Sequence, residues 1–115
     1  MTISLAPALA ALALAWGCGG ADGPSSSVLT RDFTPPPDIQ AACELAARRC
    51  SRCHPIERLL LAQVRRPEHW ARYVERMRRQ PESNISEAEG QVITRCLVFR
   101  SFGAEGLRSF EEGTP

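Results

Sequence analysis

Five consecutive residues, Cys50-Ser51-Arg52-Cys53-His54, place two thiols one helical turn apart with an imidazole directly after the second. Thiols at this spacing can add to the two vinyl groups of one haem, and the adjacent His can give a ring nitrogen to the iron. Two other chemistries share the spacing. A redox disulfide of the thioredoxin type wants a βαβ context, and this chain shows no strand pattern. A zinc site needs further ligands, and only Cys43, Cys96 and His69 remain to supply them. Cys50 and Cys53 are therefore read as thioether positions for haem c and His54 as the proximal iron ligand.

The sixth coordination position has three candidates. Met77 is the only methionine after Met1, and a thioether ligand would stabilise the reduced iron and raise its potential. An unremarkable use for it is filling a gap in a helical core. His69 would give a bis-His iron, or is simply a surface histidine in the first turn after Pro67. An open, five-coordinate iron that binds small gases is the third.

The elements that must position these groups read as helices. Asp38 can cap a first helix with apolar positions at Ile39, Ala42, Cys43, Ala46 and Ala47, which delivers the chain into Cys50. Pro55 fixes the exit, and Ile56, Leu59, Leu60 and Val64 form a short helical or turn-like stretch. A second helix begins near Pro67, with Glu68 early and Arg78 and Arg79 late, the order that suits the helix dipole. Trp70, Val74 and Met77 share a face there, and the segment from Pro81 to Asn84 breaks the helix. Ser86 followed by Glu89 is a capping box opening a third helix with Val92, Ile93, Cys96, Leu97 and Phe99 on its apolar face. Gly103 ends it, and the tail is polar, although Leu107 and Phe110 could pack back. The expected fold is all-α, a small three-helix domain wrapped around one covalent haem. A core of about 65 ordered residues is marginal alone and normally needs a staple.

From Cys50 to Leu97 the chain resembles a small c-type cytochrome domain. The resemblance is carried by Cys50–His54, the apolar stretch Ile56–Leu61, the Trp70–Val74–Met77 helix, and the helix start Ile85-Ser86-Glu87 with Glu89. It implies an all-α cytochrome c fold with Met77 as the distal ligand. Two features depart from the pattern: Cys96 stands where an aromatic usually precedes Leu, and Cys43 is an extra thiol in the first helix. The first and last helices of small cytochromes c pack together, so the resemblance suggests a Cys43–Cys96 disulfide, the alternative being two unrelated buried thiols. Such a bond would be worth roughly 3–4 kcal/mol.

Upstream, the residues from Ile3 to Trp16 are almost wholly Ala and Leu, too few to span a bilayer comfortably, and fit the apolar region of a signal peptide over 1–17, although no Lys or Arg precedes them. The segment Ala15-Trp16-Gly17-Cys18 resembles a lipobox, with Ala15 where Leu is usual; lipidation at Cys18 would anchor the chain to a membrane, and cleavage after Ala15 is the alternative. Either way the chain is expected to be exported to the periplasmic side, in keeping with its five cysteines. Residues 18–37 read as a Ser- and Pro-rich tether, 38–103 as the folded domain and 104–115 as a polar tail.

The net charge is only +1, yet every basic residue is Arg, and ten Arg face four Glu over residues 44–79. Arg48, Arg52, Arg72 or Arg76 could pair with haem propionates, and the rest could form a rim that steers an acidic redox partner; the plain alternative is a solvated helix face. No Ser-His-Asp set, phosphate loop or carboxylate pair of recognisable spacing occurs, so no enzymatic activity and no small-molecule substrate are expected, and near-neutral charge on an exported chain argues against nucleic acid. The expected function is one-electron transfer between redox proteins. The rivals are a haem-free lipoprotein that pairs Cys43, Cys50, Cys53 and Cys96 in two bridges and acts as a protein-interaction module, and a haem-based gas sensor.

Overall fold

The computed structural model describes residues 26–114. The expected signal peptide over 1–17, Cys18 and the first part of the tether lie outside the described residues. Five helices and no strand occur among the described residues: α1 (Ser26–Thr30), α2 (Pro37–Cys50), α3 (Glu57–Leu60), α4 (Pro67–Arg78) and α5 (Glu87–Gly113). The protein is thus all-helical, with the three expected helices as α2, α4 and α5 and two short ones added. None is long and apolar enough to cross a membrane.

Helix α2 begins with Pro37, whose fixed φ suits the first helical position. That choice moves the start one residue upstream, so Asp38 lies inside the first turn instead of capping it. Its carboxylate accepts from Arg95 Nη2 on α5 at 3.0 Å. The apolar face of α2, Ile39, Ala42, Cys43, Ala46 and Ala47, is buried. Small alanines let α5 approach closely where the two helices cross, and there the Cys43 and Cys96 sulfurs stand at disulfide distance with Cα atoms 5.1 Å apart. Both cysteines are fully buried.

Helix α5 starts with the capping box: Ser86 Oγ accepts from the Glu89 amide at 3.1 Å, and Glu89 Oε2 accepts from the Ser86 amide at 3.0 Å. Glu89 also takes Arg49 Nε of α2 on its other oxygen at 3.1 Å. One carboxylate therefore closes the N-terminus of α5 and ties it to the last turn of α2. Gly90, one residue on, faces α4; a Cβ there would meet Arg78 Cδ at 3.3 Å.

Two segments depart from the sequence expectation. Leu29, inside the stretch 18–37 read as a tether, is fully buried. Arg100 Nε donates to the Leu29 carbonyl at 3.1 Å, and Phe33 stacks on Phe99 with centroids 5.6 Å apart. A handful of apolar residues among Ser, Thr and Pro left little signal of this. At the other end, Gly103 breaks the helical path at φ 71°, ψ −173°, a conformation open essentially to Gly alone. Helical geometry then resumes, Leu107 is buried, and Glu111 accepts from Arg95 Nε at 2.7 Å. Residues 104–113 thus fold back beside the first half of α5.

Candidate functional site

The motif sits where α2 stops. Cys50 is the last residue of α2, and residues 51–53 form a turn. Pro55 follows His54 and cannot extend a helix backward, so the chain bends into the short α3, which sinks Leu59 into the core. The bend carries the motif over the gap between α2, α4 and α5.

That gap is a cavity of about 310 Å³. Cys50, Cys53 and His54 line one part of it, and Met77 lines another from α4. Leu59, Val74, Ile85, Ile93 and Leu97 make the rest of the wall largely apolar. Val74 and Met77 come from one face of α4, and Ile93 and Leu97, four apart, from one face of α5. Cys53 is exposed, so the cavity reaches solvent at the motif, whereas Cys50 is half-buried. Burial, with a smaller contribution from the neighbouring Cys53, pushes the free Cys50 thiol up to about 11.

His54 Nδ1 lies 3.1 Å from the Pro55 carbonyl. A carbonyl only accepts, so Nδ1 is the donor of this hydrogen bond, which in the neutral ring leaves the lone pair on Nε2. That is the arrangement of a metal-ligating imidazole, whose second nitrogen is held by a backbone oxygen. The donor set therefore fits a haem: two thiols at thioether spacing, an imidazole with Nε2 available, and a thioether on the wall of the same apolar cavity. The zinc alternative loses its remaining ligands, because Cys43 and Cys96 are at bonding distance from each other and His69 does not line the cavity.

Trp70 also lies off the cavity. It is two turns, about 10 Å, N-terminal to Met77 along α4, and its Nε1 donates to Ser101 Oγ on α5 at 2.8 Å. Trp70 thus pins α4 to α5 instead of walling the site. It touches the site through Tyr73, against whose ring it packs edge-on at 5.6 Å. Tyr73 lines the cavity, with the Arg76 guanidinium 5.3 Å from its centroid. Sequence reasoning missed Tyr73, although its place four residues before Met77 puts both on one helix face. It also missed Arg49. Arg48, Arg52, Arg72 and Arg76 were the arginines named from sequence for a carboxylate ligand, and all four are exposed. Arg49, held by Glu89, is the arginine on the cavity wall.

Fold and site together define a small all-helical domain, closed by a bond between its first long helix and its last, around an apolar cavity walled by Cys, His and Met. No family model, no curated protein and no solved structure matches the chain.

Proposed function

We propose that this chain is an exported monohaem c-type cytochrome that carries single electrons between redox proteins, its helices wrapped around one covalent haem. The observation that carries the reading is that Cys50, Cys53, His54 and Met77 all line one apolar cavity. A bound haem c supplies a one-electron iron couple. Cys50 and Cys53 would tether it by thioether bonds from the end of α2. His54 would ligate the iron through Nε2, oriented by the Pro55 carbonyl. Met77 would hold the iron through its sulfur, favouring the reduced state and a raised potential. Its place on the wall, against the position of His69 off it, supports Met77 as the sixth ligand. Leu59, Val74, Ile93 and Leu97 would keep water away. A lipid on Cys18 would hold the domain at the periplasmic face of a membrane. The protein would transform no substrate.

The test is a reduced pyridine haemochrome spectrum of protein exported from a host with a cytochrome c maturation system. A c-type α-band that survives acid–acetone extraction is the expected result. A colourless protein with Cys50 and Cys53 bonded to each other would overturn the reading in favour of a disulfide-stapled interaction module. Immediate carbon monoxide binding by the unmutated reduced protein would favour the gas sensor.

A further inference from the structure

Helix α5 turns back on itself at a single residue. Gly103 holds φ 71°, ψ −173°, and the backbone is helical before and after it. A Cβ at Gly103 would meet nothing within 4 Å, so only the backbone conformation, open essentially to Gly, reserves this position. Gly106 serves the same bend for a different reason. A Cβ there would lie 2.3 Å from Phe102 Cβ, a separation that real Cβ atoms do not show. In an unbroken helix residues 102 and 106 are four apart, and their Cβ atoms stand about 5–6 Å from each other. Both glycines therefore suit the folded-back form alone. Replacing either with Ala favours a continuous helix, by raising helix propensity and by opposing the bend.

The folded-back residues 104–113 form a strap on the body of the domain. Leu107 is buried in the main core, and Phe110 packs half-buried against it. Phe110, Glu111 and Thr114 share a groove with Ala71 and Val74 of α4 and with Thr94 of α5. Arg95 Nε closes the strap by donating to Glu111 at 2.7 Å. With Gly103 in the helical region, residues 104–113 would run about 15 Å beyond it, away from that groove. Leu107 and Phe110 would then lie in water, and the groove would stand open. A second copy extended in the same way supplies what each lacks. Its strap carries the same leucine, phenylalanine and carboxylate, and its groove carries the same arginine. We infer that two copies exchange straps about Gly103 to form a symmetric dimer, each strap seated in the groove of the other copy. The exchange rebuilds contacts that the single chain already makes and needs no new surface, a low-cost route to a closed two-fold pair. The bend lies beyond Leu97, where the cytochrome resemblance stops, so the inference does not rest on the haem.

The experiment is sedimentation velocity on the exported full-length protein over a range of concentration. The wild type should show a minor dimer that grows with concentration. Gly103→Ala should raise the dimer association constant by at least about a thousandfold, because in both chains Ala resists the bend and favours the helix. Gly106→Ala should act in the same direction. Gly113→Ala should change nothing, since a Cβ there meets nothing and its φ is not positive. Charge reversal then shows whether straps are exchanged. In the Gly103→Ala background, a chain with Arg95→Glu and a chain with Glu111→Arg each set like charges together, both alone and in their own dimers. Opposite charges meet again only when the two kinds exchange straps with each other. Refolded together from urea, they should form heterodimers well above the share that random pairing gives. A wild type that is monomeric at every concentration overturns the inference. So does a monomeric Gly103→Ala variant, whether its strap stays docked or swings free for some other partner, and so does random pairing of the charge-reversed chains.

Discussion

Replacing both Cys43 and Cys96 with Ala removes the bond that joins α2, the helix delivering Cys50, to α5, the helix supplying Ile93 and Leu97. The two cysteines are 53 residues apart in sequence. Opening a loop of that length returns about 14 cal/mol/K of chain entropy to the unfolded state, or about 4 kcal/mol at 25 °C. Ala leaves no polar group without a partner at this fully buried crossing, so the loss is not inflated by an unsatisfied hydroxyl. Against total stabilities of about 5–15 kcal/mol for small domains, this is a large fraction. The assay is urea unfolding followed by far-ultraviolet circular dichroism. With a slope of about 1.5 kcal/mol/M, ordinary for this size, the midpoint should fall by about 2.5–3 M. Dithiothreitol should reduce the wild-type bond only as fast as the domain opens, because both sulfurs are inaccessible. A loss below about 1 kcal/mol, or rapid reduction under native conditions, would refute the reasoning and leave the thiols as ordinary core residues.

Leu29→Ala should destabilise the protein by about 2–5 kcal/mol, the usual cost of truncating a fully buried leucine; an unchanged urea midpoint would return residues 26–36 to the role of a tether. In haem-loaded protein, Met77→Ala should lower the reduction potential and open the iron to carbon monoxide, and an unchanged spectrum would remove Met77 from the site. The Arg78 and Arg79 side chains lower Glu75 from 4.5 to about 2, and Arg49 lowers Glu89. The folded-state values lie below the unfolded ones, so this stabilisation is complete above about pH 4.5 and is lost as pH falls toward 2. Urea midpoints should therefore drop across that window, and Glu75→Gln should flatten the drop; a profile identical to wild type would deny Glu75 a share. Trp70→Phe should weaken the protein by about 1 kcal/mol through loss of the bond to Ser101, while leaving the visible spectrum of the haem-loaded protein unaltered if Trp70 stays off the cavity.

The helices were legible because their signals are local. Pro67, the Ser86–Glu89 box and the four-residue spacing of Ile93 and Leu97 act within one or two turns, and all can be read without knowing what lies opposite. The Cys50–His54 spacing can be read for the same reason, since the chemistry proposed for it needs only adjacent side chains. What the tertiary structure decided was everything that depends on two distant segments meeting. Met77 and His69 are eight residues apart on one helix, and only the packing of α4 against α5 puts one on the cavity wall and the other off it. Trp70 carries the right residue type for a cavity wall, yet Ser101 on α5 turns it to another task. Leu29 reads as part of a linker until its helix packs on α2 and its carbonyl meets Arg100, some seventy residues later. Arg49 and Arg48 are indistinguishable in sequence, and the position of Glu89 across a helix crossing selects one for the wall and leaves the other in solvent. Local chemistry is written in sequence because its partners are covalent neighbours; burial and pairing are not, because they depend on which remote surface a side chain finds.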